Sequence, residues 1–301
     1  MNILITGGSG FLGSAVARAL QVEGHQVHLL TRVSSRITRL EDIKHLFQVR
    51  RYEKNESISQ AIAGVNIDIV INTACSYGRS GETGPELLEA NLLLGAEILQ
   101  ILSTRSELAT FVNIGTSLPP GASLYALSKH LFSLWGELMT QNRLNNIQFI
   151  NILLQKTYGP QDDCSRFPNS LIHACLKGDP IFRLTDCQEK RDFLYIDDAV
   201  RAILVVVKER ALLAKTETIE VGTGSAIKVL SFAKSIHELT KSETRLIFEA
   251  TQKRQDGALN LCANIEPLKS LGWYPKISLR CGIEKTIAGI KESLNSKKIL
   301  K

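Results

Sequence analysis

Tyr125-Ala126-Leu127-Ser128-Lys129 sets a phenol and an amine four residues apart in a stretch whose pattern continues as helix through Met139. Both side chains then share one helix face. A lysine beside a tyrosine favours the phenolate and draws its pKa down from about 10, which equips the phenol to give or take a proton beside a carbonyl. The same spacing also arises by chance as a plain surface pair. Upstream, Phe111-Val112-Asn113-Ile114-Gly115-Thr116-Ser117 has the pattern of a strand ending in small hydroxyl residues. The ends of parallel strands are where such sheets hold ligands, so Ser117 is placed to hydrogen-bond the same carbonyl. Taken alone, it is an ordinary turn former.

Thr6-Gly7-Gly8-Ser9-Gly10-Phe11-Leu12-Gly13 follows a predicted strand and opens a predicted helix. Gly7, Gly10 and Gly13 then fall where a chain must turn tightly and approach a pyrophosphate. The amides of the helix start, at Phe11 and Leu12, meet the phosphate. The alternative is a glycine-rich turn with no ligand. In folds that take NAD, the second strand commonly ends in an acid that binds the ribose hydroxyls. Here it ends Leu29-Leu30-Thr31-Arg32, with Ser35 and Arg36 close behind. Forked guanidinium donors and hydroxyls suit a 2′-phosphate, so Thr31, Arg32, Ser35 and Arg36 favour NADP(H) over NAD(H). The other reading makes Arg32 and Arg36 exposed loop charges.

These groups need a scaffold that delivers them to one edge. The first half of the chain alternates short β-branched apolar runs with longer stretches of helical period, the pattern of a parallel sheet wrapped in helices. Strands are predicted at 2–6, 27–31, 67–73 and 110–114, and 149–154 extends the sheet. Helices are predicted at 13–23 and 86–103; in the second, Leu87, Asn91, Leu94, Ile98 and Ile101 recur on one face. After Tyr158-Gly159-Pro160 the sequence becomes turn-rich, with Pro168, Gly178 and Pro180. The expected fold class is α/β: a Rossmann doubly wound parallel sheet over residues 1–160, with return segments near 190–222, and a smaller C-terminal α/β substrate-binding domain over 161–301. Trp135 and Trp273 are expected in the core.

The 301 residues are 44% hydrophobic and 22% charged, the balance of an ordinary enzyme rather than a disordered chain. No apolar run approaches the roughly 20 residues of a membrane span. The N-terminus lacks the basic region and cleavage site of an export signal, so a cytoplasmic location is expected. Six cysteines are scattered, with no C-x-x-C pair and no Cys/His cluster, which points to reduced thiols and no metal. The net charge of +6 is dispersed except at Lys297, Lys298 and Lys301. That argues against nucleic acid and suits an anionic small molecule.

Through the glycine loop, Ser117, Tyr125, Lys129, Tyr158-Gly159-Pro160 and Arg191-Asp192-Phe193, the chain resembles the extended short-chain dehydrogenase/reductases, or NAD-dependent epimerase/dehydratase family. The resemblance covers nearly the whole chain and takes in Asn91, Val221-Gly222-Thr223-Gly224, Arg254 and Leu271-Gly272-Trp273-Tyr274-Pro275. It implies Tyr125 as acid/base, Lys129 as the residue that lowers its pKa and holds the nicotinamide ribose, and Ser117 as the group that positions the reacting oxygen. Ala74 and Asn91 would also lie at the cofactor. Arg191 and Arg254 would hold the diphosphate of a nucleotide sugar; the alternative for Arg191 is a structural bond to Asp197 or Asp198. Tyr77 and Arg79 are candidate substrate contacts, or ordinary loop residues. The resemblance further implies a homodimer through the helix bearing Tyr125 and Lys129. Apolar Leu131, Leu134 and Leu138 suit that role unless they face the sheet.

Departures from the family pattern narrow the reaction. Leu118-Pro119-Pro120 follows Ser117 where sugar-nucleotide dehydratases carry an Asp-Glu pair, and elimination of water needs that acid and base. A 4,6-dehydratase is therefore disfavoured. Only seven residues separate Ser117 from Tyr125, far fewer than in relatives, so one wall of the substrate site is trimmed. Leu153 replaces an arginine of many relatives, and Arg50-Arg51-Tyr52 stands where an adenine-contacting aspartate is common. Within the family, Ala74-Cys75-Ser76-Tyr77-Gly78-Arg79 and the run from Tyr125 to Gly136 look most like the CDP-sugar reductases of 3,6-dideoxyhexose and O-antigen biosynthesis, the abequose and paratose synthases. The expected reaction is NADPH-dependent reduction of the C4 ketone of a CDP-linked deoxy sugar. Two alternatives stay open: an NAD(P)-dependent nucleotide-sugar epimerase and a non-catalytic NADP(H)-binding regulatory protein.

Overall fold

The structure, a computed structural model, describes residues 1–53, 57–141, 146–249 and 260–299. Its first strands are β1 (Asn2–Thr6), β2 (Gln26–Arg32), β3 (Gln48–Tyr52), β4 (Ile69–Asn72), β5 (Ala109–Ile114) and β6 (Ile147–Leu154). They are followed by β7 (Lys156–Tyr158), β8 (Ile181–Leu184), β9 (Lys190–Tyr195), β10 (Thr216–Val221), β11 (Ala226–Lys228) and β12 (Arg245–Phe248). Seven strands form one sheet in the order β10-β6-β5-β4-β1-β2-β3. Every pairing from β3 across to β6 is parallel. Ile3, Leu4, Ile5, Ile69, Val70 and Ile71 are all fully buried, as expected where helices cover both faces of a parallel sheet. The strand order reverses between β1 and β4, which opens a crevice at their C-terminal ends.

The chain divides into two compact units. The first comprises Met1–Leu154, Val200–Glu220 and Ser270–Trp273; the second comprises Gln155–Ala199, Val221–Lys269 and Tyr274–Lys301. In the first unit the helices are α1 (Phe11–Val22), α2 (Ile58–Ala61), α3 (Gly84–Leu88), α4 (Leu94–Ser103) and α5 (Leu124–Gln141). Thr83 and Glu86 form a reciprocal cap at the start of α3, and a π-helical turn at Glu89–Leu93 joins α3 to α4. Phe132 of α5 packs on Phe111 of β5 and Phe149 of β6, with ring centroids 5.7 and 6.1 Å away. Such pairs add about 0.5–1.5 kcal/mol each beyond area burial and seat α5 on the sheet.

β3 is a strand of the main sheet that sequence reasoning missed. Gln-Val-Arg-Arg-Tyr is a partly exposed edge strand whose arginines bond to carbonyls, Arg50 to Ala61 and Arg51 to Val33, so it shows no apolar run. Trp135 is a second correction: it is 50% exposed rather than buried, whereas Trp273 is 1% exposed. Leu131, Leu134 and Leu138 are likewise exposed and do not face the sheet.

In the second unit β7 pairs parallel with β9, and β9 antiparallel with β11, while β8 and β12 form a separate parallel pair. Its helices are α6 (Asn169–Lys177), α7 (Ile196–Lys208), which runs on into the first unit, α8 (Val229–Thr240), α9 (Glu266–Ser270) and α10 (Leu279–Ile299). Phe193 stacks on Phe232 at 3.9 Å, and Tyr158 meets Phe232 edge-on at 5.2 Å. Among the described residues, no helix is long and apolar enough to cross a membrane.

Candidate active site

Four parallel strands bring polar residues level at their C-terminal ends. Thr6 pairs with Asn72, Asn72 with Asn113, and Asn113 with Asn151. Their side chains form a buried chain of hydrogen bonds: Thr6 Oγ1 donates to Asn72 Oδ1 (2.6 Å), Asn72 Nδ2 to Asn113 Oδ1 (3.1 Å) and Asn113 Nδ2 to Asn151 Oδ1 (2.8 Å). Ser133 of α5 donates to Asn151 as well. A buried polar network with its members satisfied is rigid, and this one ties α5 to the floor of the crevice. Its sequence signal was an amide near the end of successive strands, which only the register turns into a ladder.

The glycine loop lies over this floor. Gly7 has φ of +66°, and a Cβ there would come within 2.7 Å of the Ala74 backbone. A Cβ on Gly13 would strike the Gly7 carbonyl and the Thr73 hydroxyl. No side chain caps α1 at Gly10, so the first-turn amides near Phe11 and Leu12 are left for an anion.

The segment after β4 touches four parts of the site with four consecutive residues. The Ala74 amide donates to Thr6 Oγ1 (3.2 Å), beside the glycine loop. Cys75 follows, close enough to Lys129 to bear on its charge. Ser76 is gripped by Asn91, which accepts from its amide (2.8 Å) and donates to its carbonyl (2.9 Å). Tyr77 lies against Tyr125, ring to ring at 4.8 Å.

Asn91 sits in the π-helical turn, a distortion that often marks functional positions. Its amide also donates to Ser128 Oγ (2.8 Å), and Ser128 donates to the Tyr125 carbonyl (2.9 Å). One side chain therefore fixes both the β4 loop and the first turn of α5. Lys129 is 2% exposed. Burial pushes its pKa below the ordinary lysine value, with Cys75 acting in the opposite sense. No hydrogen bond to its amine occurs among the described residues, which leaves a buried donor for a bound ligand. Ser117 is partly exposed beyond β5 and donates to the Leu154 carbonyl at 3.4 Å. Next to it, the Leu118 carbonyl bonds His130 Nε2 at 2.7 Å, which ties the short connection to the residue after Lys129.

At the end of β2, Thr31 Oγ1 is buried and has no hydrogen-bond partner. Arg32 and Arg36 are exposed and Ser35 partly so. Ser35 and Arg36 border an open cavity of about 700 Å³ that Val33, Thr38, Glu41, Lys44 and Arg51 also line. Arg51 donates to the carbonyls of Val33 (3.0 Å) and Ser35 (3.3 Å), and Arg39 to the carbonyl of Ser9 in the glycine loop (3.1 Å). Arg39 had no motif around it, and sequence reasoning missed it. An orphaned hydroxyl, cationic loop side chains and a cradle that a Cβ would fill all fit the adenosine and pyrophosphate of a dinucleotide.

In the second unit Arg191 is partly exposed and donates to the Lys190 carbonyl (3.3 Å). Its neighbour Asp192 is fully buried and accepts from Thr223 N, Thr223 Oγ1, Gly224 N and Ala263 N. Asp198 accepts from the amides of Lys276 and Ile277. Arg79, back in the first unit, is exposed over the Tyr77 ring at 5.8 Å. Arg254 lies outside the described residues.

Comparison with known proteins gives a consistent picture. The profile of the NAD dependent epimerase/dehydratase family matches residues 3–222. The CDP-abequose synthase of Salmonella muenchen is 28% identical over 292 residues, covering 95% of this chain and 97% of that protein. A GDP-L-fucose synthase of Sinorhizobium fredii is 24% identical over 317 residues, covering 95% and 94%. Among solved structures, the UDP-glucose 4-epimerase of Thermotoga maritima with UDP-glucose superposes with a TM-score of 0.83 at 21% identity, over 98% of this chain and 100% of that one. The dTDP-glucose 4,6-dehydratase of Bacillus anthracis in complex with NAD gives 0.84 at 18% identity, over the full length of both. At such identities the superpositions speak to the fold.

Proposed function

The chain belongs to the NAD-dependent epimerase/dehydratase family, and on that premise we propose that it reduces the C4 ketone of a nucleoside-diphosphate deoxy sugar, with CDP as the nucleotide and NADPH as the reductant. The observation that carries the reading is the Tyr125–Lys129 pair on α5, locked to the glycine-loop side of the sheet through Ser128, Asn91 and Ser76. Likeness to CDP-abequose synthase along almost its whole length supports the CDP-sugar class. The absence of an acid–base pair in Leu118-Pro119-Pro120 argues against elimination of water.

Bound NADPH supplies the hydride. Ser117 and Tyr125 hold the carbonyl oxygen, and Tyr125 gives it a proton as the alcohol forms. Lys129, buried and without a hydrogen-bonded partner among the described residues, stabilises the resulting phenolate and binds the nicotinamide ribose. Gly7, Gly10, Gly13 and the first-turn amides of Phe11 and Leu12 receive the pyrophosphate, with Ala74 and Asn91 beside them. Thr31, Arg32, Ser35 and Arg36 receive the 2′-phosphate. Arg191 and Arg254 take the sugar-linked diphosphate, with Tyr77 and Arg79 towards the sugar. The enzyme acts in the cytoplasm as a homodimer joined through α5, whose exposed Leu131, Leu134, Trp135 and Leu138 form the apolar face that a second copy would cover.

The test is loss of NADPH absorbance with CDP-, dTDP-, GDP- and UDP-linked 4-keto sugars, with Tyr125→Phe as control. Stoichiometric oxidation with the CDP sugar, abolished in the variant, is expected. Altered sugar stereochemistry without net oxidation would replace the reading by an epimerase; tight NADP(H) binding with neither change would replace it by a regulatory protein.

A further inference from the structure

We propose that Tyr77 is a positioning residue that holds the Tyr125 ring in its reactive orientation by stacking on it. The proposal rests on the acid role given to Tyr125 above. The two ring centroids are 4.8 Å apart and the planes are inclined by 33°. That separation lies at the short end of the range in which aromatic pairs attract. The guanidinium of Arg79 lies over the Tyr77 ring at 5.8 Å, so Tyr77 is itself held by a cation–π contact.

The backbone behind each ring is fixed by the same amide. Asn91 holds Ser76, the residue before Tyr77, through both its N–H and its C=O. Through Ser128 it holds the Tyr125 carbonyl. Glu82 closes the loop from its other side, accepting from Ser76 Oγ (3.0 Å) and the Ser80 amide (2.7 Å). The loop therefore presents Tyr77 in one place.

The need for such a device follows from the short connection before Tyr125. Seven residues join Ser117 to Tyr125, with one 3₁₀ turn at Pro120–Ala122. His130 draws the start of that connection onto α5 at Leu118. Tyr125 stands in the first turn of α5, after an exposed Leu124 and with its own side chain partly exposed. A long connection could wall the phenol; this one is trimmed, and the Tyr77 ring supplies a wall from the β4 side. Tyr125 must meet a carbonyl oxygen within hydrogen-bond reach, and a misplacement of about 1 Å costs on the order of 100-fold in rate.

The experiment compares Tyr77→Ala and Tyr77→Phe in the full chain. If the ring positions Tyr125, Tyr77→Ala lowers kcat by about tenfold or more with KM for NADPH little changed, and Tyr77→Phe recovers most of the loss. A rise in KM at unchanged kcat, or Phe as impaired as Ala, would overturn the proposal in favour of direct substrate contact through the hydroxyl. A second readout needs no substrate: nitration of Tyr125 by tetranitromethane, followed by peptide mass. It is expected to run several-fold faster in Tyr77→Ala than in the wild type or in Tyr77→Phe; equal rates in all three would refute the stack. If the wild type reduces none of the sugars, the proposed function fails, while the nitration rates still judge the contact.

Discussion

Replacing Lys129 by methionine should make the protein more stable and inactive at once. The lysine is 2% exposed, its amine has no hydrogen bond among the described residues, and burial holds its pKa below the ordinary value. An effective penalty of several kcal/mol attaches to a buried, unpaired charge, only part of which is relieved by loss of the proton. Methionine matches the length of the aliphatic stem and carries no such penalty. Single stabilising replacements commonly yield about 0.5–2 kcal/mol. At about 2–4 °C per kcal/mol, the melting midpoint of the cofactor-free protein should rise by about 1–8 °C at pH 7. The pH dependence has a definite sign. Between the depressed folded-state pKa and the unfolded value of about 10.4, Lys129 binds more protons in the unfolded chain, so its contribution to wild-type stability rises with pH through that window. The advantage of Lys129→Met should therefore shrink as the pH is raised towards 10. Thermal unfolding of both proteins without cofactor, at neutral and alkaline pH, measures this. A variant that melts below the wild type at pH 7, or an advantage that grows with pH, would refute the reasoning.

Four other outcomes are expected. Tyr125→Phe should lower turnover by about 10²–10⁴-fold while NADPH affinity, by fluorescence titration, stays near that of the wild type. Arg36→Ala should raise KM for NADPH by about tenfold and leave that for NADH unchanged, because the exposed guanidinium would meet only the 2′-phosphate. Asn91→Leu removes the bonds to Ser128 Oγ and to the half-buried Ser76 backbone and loses the link between the β4 loop and α5; a loss of about 2–4 kcal/mol is expected in denaturant unfolding. Leu138→Glu, at a position 67% exposed, should leave the monomer folded and convert a dimer to monomer in light scattering.

The fold was legible where burial is two-sided. β1, β2, β4, β5 and β6 carry near-continuous apolar runs because helices cover both faces, and such runs stand out in a sequence. β3 did not stand out, because an edge strand with Arg50 and Arg51 has no such pattern. The π-helical turn at Glu89–Leu93 was hidden inside a good helical period. Trp135 was misread because size and apolarity say nothing about which side of a helix meets the sheet. The spacing of Tyr125 and Lys129 was visible as chemistry, and Asn91 and Tyr77 stood out beside it, but the contacts through which they hold Tyr125 were not. The ladder of Thr6, Asn72, Asn113 and Asn151 depends on strand register, and the contact of Tyr77 with Tyr125 depends on how the β4 loop folds back. Neither is a property of neighbouring residues.

The central claim is that this site delivers a hydride to the C4 carbon of a sugar and leaves it there. The most direct test is a single turnover with NADPH deuterated at the transferring position and a CDP-linked 4-keto deoxy sugar, read by mass and by NMR of the product. The account predicts one deuterium per sugar at C4, with one NADP⁺ formed and neither product seen with Tyr125→Phe. An isomerised sugar with no net oxidation, or deuterium retained on the cofactor, would contradict it.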